Sequence, residues 1–462
     1  MNNLQDKTVG SWFGMAVGDA MGLAVRGLKP ESIAQYFKQV DGYMDMRPYI
    51  GKGISQYRMQ GLYGSQFQRS LIVCDCLLKN KRIDLGAVSG MVKQMSREGP
   101  DHYFGLFRHY EGVFRKAAER LPGEEAGYRS DQNVSNASYA TLSVPIALYC
   151  QPDGEAALRQ AVETCLLFTN SPWETVGAAL AGFLTGFFLA EDTPGPDETA
   201  PDAARILTAA ADFCEKAETF IKERHPEAWN KTEEGSARAM SKTFRALCAG
   251  QTPGGGSASA QARGGIAPGV PGEVQEWICQ NASAFVKTRI YHATQGYALT
   301  LLPLALVMVL RSGNGFPGAM TRSLSMGRES DKLGALVGAW AGALHGFSRI
   351  PEPWKTGLVN AKEIKARGEA LFLRQDSKKL KDLLEMESGL TYKEYEDQKK
   401  YAVRDVKKIA AKTAGSLDLW DDGELEPAKV PRKEDAVKWR KFQKDKSRMK
   451  RDRRRNLAGD ED

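Results

Sequence analysis

The chain has 462 residues, of which 42% are hydrophobic and 9% aromatic, so it can bury a large core in one big domain with appendages or in two domains. Its formal net charge of +7 is concentrated between residues 432 and 455, and the rest is nearly neutral. No secretory signal is visible at the N-terminus, and the longest apolar run, residues 297–310, is too short to cross a bilayer. A membrane-spanning protein is therefore not expected, and we predict a cytoplasmic location, or a nuclear one if the source is eukaryotic.

From Thr8 to about Phe372, apolar residues recur at three- and four-residue spacing, which is typical of α-helices with one buried face. The pattern is clear in "SLIVCDCLLKN", "ETVGAALAGFLTGFFLAED" and "AARILTAAADFCEKAETFIKE". We find no convincing run of strand-like alternation. The sequence thus predicts an all-α domain over residues 8–373.

Two segments interrupt the helical pattern, at 191–202 and at 249–273. The first is typical of an exposed loop between helices. The second is rich in Gly, Pro, Ser and Ala, which predicts a flexible insertion. It lacks the Lys-Ser/Thr pair and the preceding strand of a phosphate-binding loop.

Beyond residue 373 the composition becomes highly charged. Residues 374–431 are predicted to form a charged helical extension outside the core. Residues 432–462 form a basic tail with Trp439 and Phe442 among the bases, a mixture suited to binding nucleic acid or an acidic protein. A solvated, solubilising tail explains the same composition.

Two helical segments carry glycine at every fourth position. One runs from Gly10 to Gly22 and contains the single acidic residue Asp19, and the other runs from Gly334 to Gly346. Because glycine is costly inside a helix, this spacing indicates that another backbone comes close. We expect both helices to lie in a tightly packed core.

Charged residues stand directly before the second glycine-rich helix: Arg328, Glu329, Asp331 and Lys332. A helix start favours acidic side chains, because of its dipole and free N–H groups. Capping accounts for one acid but not for two acids and a lysine. A functional site at this position is the competing interpretation.

The sequence resembles the ADP-ribosylglycohydrolase family, which includes the dinitrogenase reductase-activating glycohydrolases. The matching motifs come in family order: "GMAVGDAMG", "SQFQRSLIVCDCLL", "SNASYATLSVPIAL", "FTNSPWETVGAALAGFLTG" and "GRESDKLGALVGAWAGALHGFSRIPEPW". The resemblance implies a compact, orthogonal multi-helix domain. It also implies a hydrolase that releases ADP-ribose, with ADP-ribose or an ADP-ribosylated protein as partner.

Members of this family bind two divalent cations, usually magnesium, between a T-D-D-T motif and a D-T-D-T motif. The first motif corresponds to residues 62–65, where both acids are absent and Ser65 supplies the remaining side-chain oxygen. The second corresponds to Glu329, Ser330, Asp331 and Lys332. Glu329, Asp331 and Ser65 are thus the remnant metal ligands, and a lysine beside them is unfavourable for Mg²⁺. We expect no cofactor, and magnesium or manganese if there is one.

The same comparison yields candidate ligand-binding residues, listed here: Asp19, Arg26, Ser135, Asn136, Asn170 and Lys332. Arg26 stands where the family has an acid, and Asn170 where it has a histidine. Relative to the family motifs, this sequence has lost acidic residues and gained basic ones at the site. We therefore expect Lys332 and Arg26 to pair with Glu329 and Asp331, and no catalytic residue can be assigned.

Three functions remain open from the sequence. The protein is a catalytically impaired pseudoenzyme that keeps a ligand-binding or scaffolding role, an active hydrolase with a reorganised metal site, or a protein that acts mainly through its basic tail.

Overall fold

The described residues of the computed structural model form eighteen α-helices and three short 3₁₀ turns, and they contain no β-strand. The described residues are 3–50, 54, 56–101, 103–121, 130, 136–193, 202–229, 238–249, 271–311, 315–375 and 380–401. The helices are α1 Asn3–Val25, α2 Pro30–Phe37, α3 Ser65–Asn80, α4 Leu85–Arg97, α5 Gly112–Arg120, α6 Ser143–Cys150, α7 Gly154–Leu166, α8 Pro172–Ala190, α9 Ala203–Arg224, α10 Pro226–Trp229, α11 Ala239–Cys248, α12 Pro271–Val286, α13 Ala298–Leu310, α14 Gly315–Leu324, α15 Ser330–His345, α16 Glu352–Gly357, α17 Ala361–Leu373 and α18 Leu383–Tyr401.

The two glycine-rich helices, α1 and α15, pack against each other along their whole glycine stripes. A methyl group on Gly18 would overlap the backbone carbonyl of Gly334, and one on Gly338 would overlap that of Gly14. Every residue of α15 is buried. The glycines are therefore needed for backbone contact, and this pair of helices forms the centre of the fold.

The remaining helices surround this pair. Helices α8, α13 and α14 pack against α15, and α17 packs against α1. The Trp340 side chain donates its Nε1 hydrogen to the carbonyl of Ala181 at 3.1 Å, which joins α15 to α8. Helix α8 is the one described helix long and apolar enough to span a membrane, but 72% of its apolar window is buried inside the protein. That burial is the behaviour of a core helix.

Helix α18 belongs to the packed core, although the sequence placed residues 374–431 outside it. Its apolar face buries Leu383, Met386 and Tyr395. Two carboxylates of this helix, Glu387 and Glu394, are fully buried as well. The charged composition favoured an exposed position for this segment in the sequence analysis, whereas in the fold these charges have buried partners.

Several predicted segments lie outside the described residues. They include 250–270 of the predicted flexible insertion and 402–462, which contain the second half of the extension and the whole basic tail. The predictions for these segments stay predictions.

Candidate functional site

The end of α1 and the start of α15 are joined by backbone hydrogen bonds. The N–H of Gly27 donates to the carbonyl of Arg328 at 2.8 Å, and the N–H of Arg328 donates to Leu28 at 2.9 Å. The Ser330 hydroxyl donates to the carbonyl of Gly22 at 2.8 Å. Because of these bonds, the charged residues at the two helix ends meet in one place.

Five charged residues form what we call the ion-pair cluster: Arg26, Glu111, Glu329, Asp331 and Lys332. Its centre is the Lys332 ammonium, 3.0 Å from Glu111 Oε1 and 2.9 Å from Glu329 Oε2. This ammonium also donates to the backbone carbonyl of Asn136 at 3.2 Å. Burial alone would lower the pKa of Lys332, but Glu111 and Glu329 outweigh it and raise the pKa above its usual value. The two carboxylates therefore favour the charged form of the ammonium at neutral pH.

Glu111 precedes α5 and is 5% exposed. Its Oε1 atom also accepts a hydrogen bond from Gln66 Nε2 at 2.5 Å. Burial acts to raise the pKa of this carboxyl, but Lys332, Arg69 and Arg26 lower it to about 2. Glu111 thus stays ionised and balances the buried lysine.

The second half of the cluster is the pair between Arg26 Nη1 and Asp331 Oδ2, 3.4 Å apart. Arg26 also donates to the carbonyl of His109 at 2.5 Å. Behind it, the half-buried Arg58 donates to the carbonyls of Ala24 at 3.2 Å and Arg26 at 3.1 Å. Burial raises the pKa of Asp331 although Arg26 opposes that shift. The pairing expected from the sequence, Lys332 with Glu329 and Arg26 with Asp331, is present.

Asp19 lies fully buried on α1 and caps the start of α3. Its Oδ2 atom accepts hydrogen bonds from the N–H groups of Gly64 at 3.0 Å and Phe67 at 2.8 Å. Burial, with Asp331 nearby, raises the pKa of Asp19 to about 7. Asp19 therefore fixes the segment in which Ser65, the predicted remnant ligand, begins α3. The carbonyl of Ser65 accepts from Arg69 Nε at 3.0 Å.

The loop before α6 is held by Glu174, a residue that the sequence analysis did not select. Its two carboxylate oxygens accept from the N–H groups of Asn136 at 2.8 Å and Tyr139 at 2.9 Å. Burial raises the pKa of Glu174 to about 7. Among the predicted site residues, Asn136 thus reaches the cluster through its backbone carbonyl.

Two predicted ligand-binding residues remain, Asn170 and Ser135. Asn170 is 6% exposed just before α8, and its Oδ1 atom has no hydrogen-bond partner among the described residues. Ser135 lies outside the described residues.

Sequence reasoning missed both Glu111 and Glu174. Glu174 had a usable signal, because the Ser171–Glu174 spacing is that of a capping box and the Ser171 hydroxyl accepts from the N–H of Glu174 at 3.4 Å. Glu111 stands in an aromatic-rich segment without a recognisable pattern. Only the fold brings Glu111 beside Lys332.

The family resemblance implies two divalent cations at the position of the ion-pair cluster. A Mg²⁺ ion needs several oxygen ligands at about 2.1 Å, with room for octahedral geometry. Here the ammonium of Lys332 lies within 3.2 Å of oxygens from Glu111, Glu329 and Asn136, and Arg26 pairs with Asp331. Among the described residues, no group of three or more His, Cys, Asp or Glu side chains is arranged to hold a metal ion. The residues present do not fit a pair of divalent cations.

Comparison with known proteins gives three findings. Residues 1–381 match the sequence profile of the ADP-ribosylglycohydrolase family. ADP-ribosylarginine hydrolase Tri1 of Serratia proteamaculans (strain 568) is 35% identical over 79 residues, which are 17% of this chain and 21% of that protein. This match therefore spans about a fifth of the relative's length. A solved structure described as an ADP-ribosylglycohydrolase-related protein complex superposes with a TM-score of 0.52 and 19% identity, covering 82% of this chain and 100% of the other. That likeness confirms the predicted all-α fold.

Proposed function

Since this chain belongs to the ADP-ribosylglycohydrolase family, we propose that it is a pseudoenzyme in which ion pairs replace the metal centre and a ligand-binding role is retained. The observation that carries this proposal is the position of the Lys332 ammonium, 3.0 Å from Glu111 and 2.9 Å from Glu329. It occupies the place among the acids in which a cation would bind. A divalent ion would have to displace a buried lysine whose ammonium is held by two carboxylates.

Loss of the metals removes the groups that would hold a ribose diol and orient a water molecule. Positioning and charge stabilisation of this kind account for much of the rate at a metal centre. Lys332 cannot replace them, because an ammonium is a donor without an open coordination position. Hydrolysis at a family-like rate is therefore not expected.

The site can still bind a ligand, because one edge of the ion-pair cluster is accessible to solvent. The side chains of Arg26 and Glu329 are 15% and 18% exposed. A cavity of about 820 Å³ is lined by residues 275–284 of α12 and residues 287–293, and although no cluster residue lines it, its lining residue His292 lies 2.7 Å from Arg328, the residue before Glu329. Bases at this edge favour an anionic ligand such as ADP-ribose, free or attached to a protein.

The test combines an activity assay with a binding assay on the purified protein. Release of ADP-ribose from modified arginine or serine is measured with and without Mg²⁺ or Mn²⁺, and ADP-ribose binding is measured by calorimetry. We expect no release at a rate comparable to active family members, and saturable binding that weakens in Arg26→Ala. Turnover that is lost in Asp331→Ala would overturn the pseudoenzyme, and absence of binding would overturn the ligand role.

A second candidate is a hydrolase with a reorganised centre, for which two buried carboxyl groups are the candidates for acid–base chemistry. The pKa values of Asp19 and Glu174 are raised to about 7, which is the range of a general acid or base at neutral pH. Both carboxylates are engaged by backbone N–H groups, which leaves them poorly placed for proton transfer. Turnover that survives in Asp331→Ala but disappears in Glu174→Gln would support this candidate.

A further inference from the structure

We propose that the segment carrying the lost acidic motif, residues 57–68, has become the docking surface for the chain's own helix α18, which fixes the geometry of the ion-pair cluster. The family match ends at residue 381, before α18 begins at Leu383. This inference goes beyond the proposed function and holds whether or not the protein binds ADP-ribose.

The first contact is the buried carboxylate of Glu387. Its Oε1 atom accepts from the Tyr63 hydroxyl at 2.7 Å, and its Oε2 atom accepts from Gln68 Nε2 at 2.7 Å. The same Oε2 atom lies 2.7 Å from Arg108 Nη2, in a pair with no exposed side-chain surface. Arg108 also lies over the Tyr63 ring, 5.2 Å from its centroid. One carboxylate of α18 therefore joins three residues from two segments of the domain.

The next turns of α18 repeat this arrangement. Thr391 donates to the carbonyl of Leu106 at 2.8 Å and accepts from Arg108 at 3.0 Å. Glu394 accepts from the N–H of Met59 at 3.1 Å and contacts His109 Nε2 at 3.0 Å.

The C-terminal end of the described helix continues the contact. Gln398 donates to the carbonyl of Tyr57 at 3.1 Å, and the rings of Tyr57 and Tyr401 lie 4.8 Å apart. The helix thus contacts residues 57–68 and 106–109 along most of its length.

Both contacted segments lead directly into the ion-pair cluster. The carbonyl of His109 accepts from Arg26, and Glu111, two residues further on, pairs with Lys332. Gln66, three residues after Tyr63, donates to Glu111 Oε1 at 2.5 Å. Helix α18 therefore holds in place the two segments that lead into the ion-pair cluster, without contacting the cluster itself. Glu387 and Glu394 are positioning residues.

Because Tyr63 contacts α18, an acidic residue restored at position 63 would disturb the docking of this helix. The resemblance places an aspartate of the first motif there, but the Tyr63 hydroxyl is bonded to Glu387 and the residue is fully buried. An aspartate is too short to keep the bond to Glu387, and it would bury a second carboxylate in the same region, where burial makes like charges costly. Loss of the acid and docking of α18 are therefore coupled.

The first experiment is a double-mutant cycle between positions 63 and 387, read by thermal unfolding of the full chain. Tyr63→Phe serves as the control that removes only the hydroxyl. We expect Tyr63→Asp to lower Tm by several degrees more than Tyr63→Phe. Adding Glu387→Gln to Tyr63→Asp should recover part of that loss in Tm. The double variant then has one buried carboxylate near Arg108, at position 63, instead of two. Equal losses from Tyr63→Asp with and without Glu387→Gln would overturn the coupling.

The second experiment measures amide hydrogen exchange in Glu394→Gln, with the exposed Glu396→Gln as matched control on the same helix. We expect faster exchange in α18 and in residues 56–64 and 103–111 in Glu394→Gln, with α7 and α8 unchanged, since a local opening affects only the helix and the segments that it contacts. The control should match the wild type. Unchanged exchange, or a uniform increase over the whole chain, would contradict a positioning role. Neither experiment depends on activity or on ADP-ribose binding.

Discussion

The Nζ atom of Lys332, at the start of α15, lies 3.0 Å from the Oε1 atom of Glu111, which precedes α5. Both side chains are at least 95% buried, so their charges depend on each other for compensation. Removing one partner of such a pair leaves the other as an uncompensated buried charge.

Replacing Lys332 by threonine, the residue expected in the family motif, should lower the free energy of unfolding by about 3–5 kcal/mol. The cause is the loss of the cation beside Glu111 and Glu329. If the vacated space then accepts a divalent ion, added Mg²⁺ should raise the melting temperature, because it binds only the native state. Thermal unfolding with and without Mg²⁺ measures both effects.

The matched control for this variant is Lys216→Thr. Lys216 pairs with Glu155 on the surface, where the two side chains are 57% and 86% exposed. Such a pair contributes about 0–1 kcal/mol, so the control should unfold near the wild-type temperature. Equal stability of Lys332→Thr and the wild type in the absence of Mg²⁺ would refute the buried pair.

The raised pKa of Asp19 predicts a pH dependence. Burial brings this pKa from 3.8 to about 7, so the folded state holds a proton that the unfolded state has released. The stability from this group is therefore complete below about pH 4 and declines as the pH rises to about 7. Asp19→Asn mimics the neutral form and should flatten the decline between about pH 4 and pH 7. Chemical unfolding across this range, with the exposed Asp212→Asn as control, measures the difference in slope.

The contact between α1 and α15 predicts opposite effects for two glycine substitutions. Gly18→Ala should cost about 1–3 kcal/mol or more, because the new methyl group overlaps the carbonyl of Gly334. Gly389→Ala, in α18, should gain about 0.5–1 kcal/mol, since no atom lies within 4 Å of the added carbon and alanine favours the helix. Denaturant unfolding of both variants gives the comparison. A tolerated Gly18→Ala would mean that the two backbones are not in contact.

The basic tail gives a prediction from sequence alone. Removing residues 432–462 should leave the helical domain folded and abolish salt-sensitive binding to heparin or RNA, because counterion release requires those bases. Binding measured at several salt concentrations, for the full chain and the truncated chain, decides the matter. Equal binding by both would assign the polyanion contact to the domain.

The sequence by itself determined the all-α class and the presence of a closely approaching backbone at the glycine stripes of α1 and α15. Both follow from local periodicity, because apolar residues at helical spacing and glycine at every fourth position can be recognised within a single segment, without knowledge of its neighbours in the fold. The pairing of Lys332 with Glu329 belongs in this group, because the two residues lie one turn apart at the start of one helix.

The tertiary structure alone decided which distant groups complete the site. Glu111 beside Lys332, Glu174 beneath Asn136 and Glu387 beside Tyr63 each join elements that are remote in sequence. The charged pattern of α18 predicted an exposed extension, whereas its carboxylates are buried against Arg108 and His109. A buried charge is stable only beside its partner, and the partner is chosen by how the helices pack, which no local pattern of residues records.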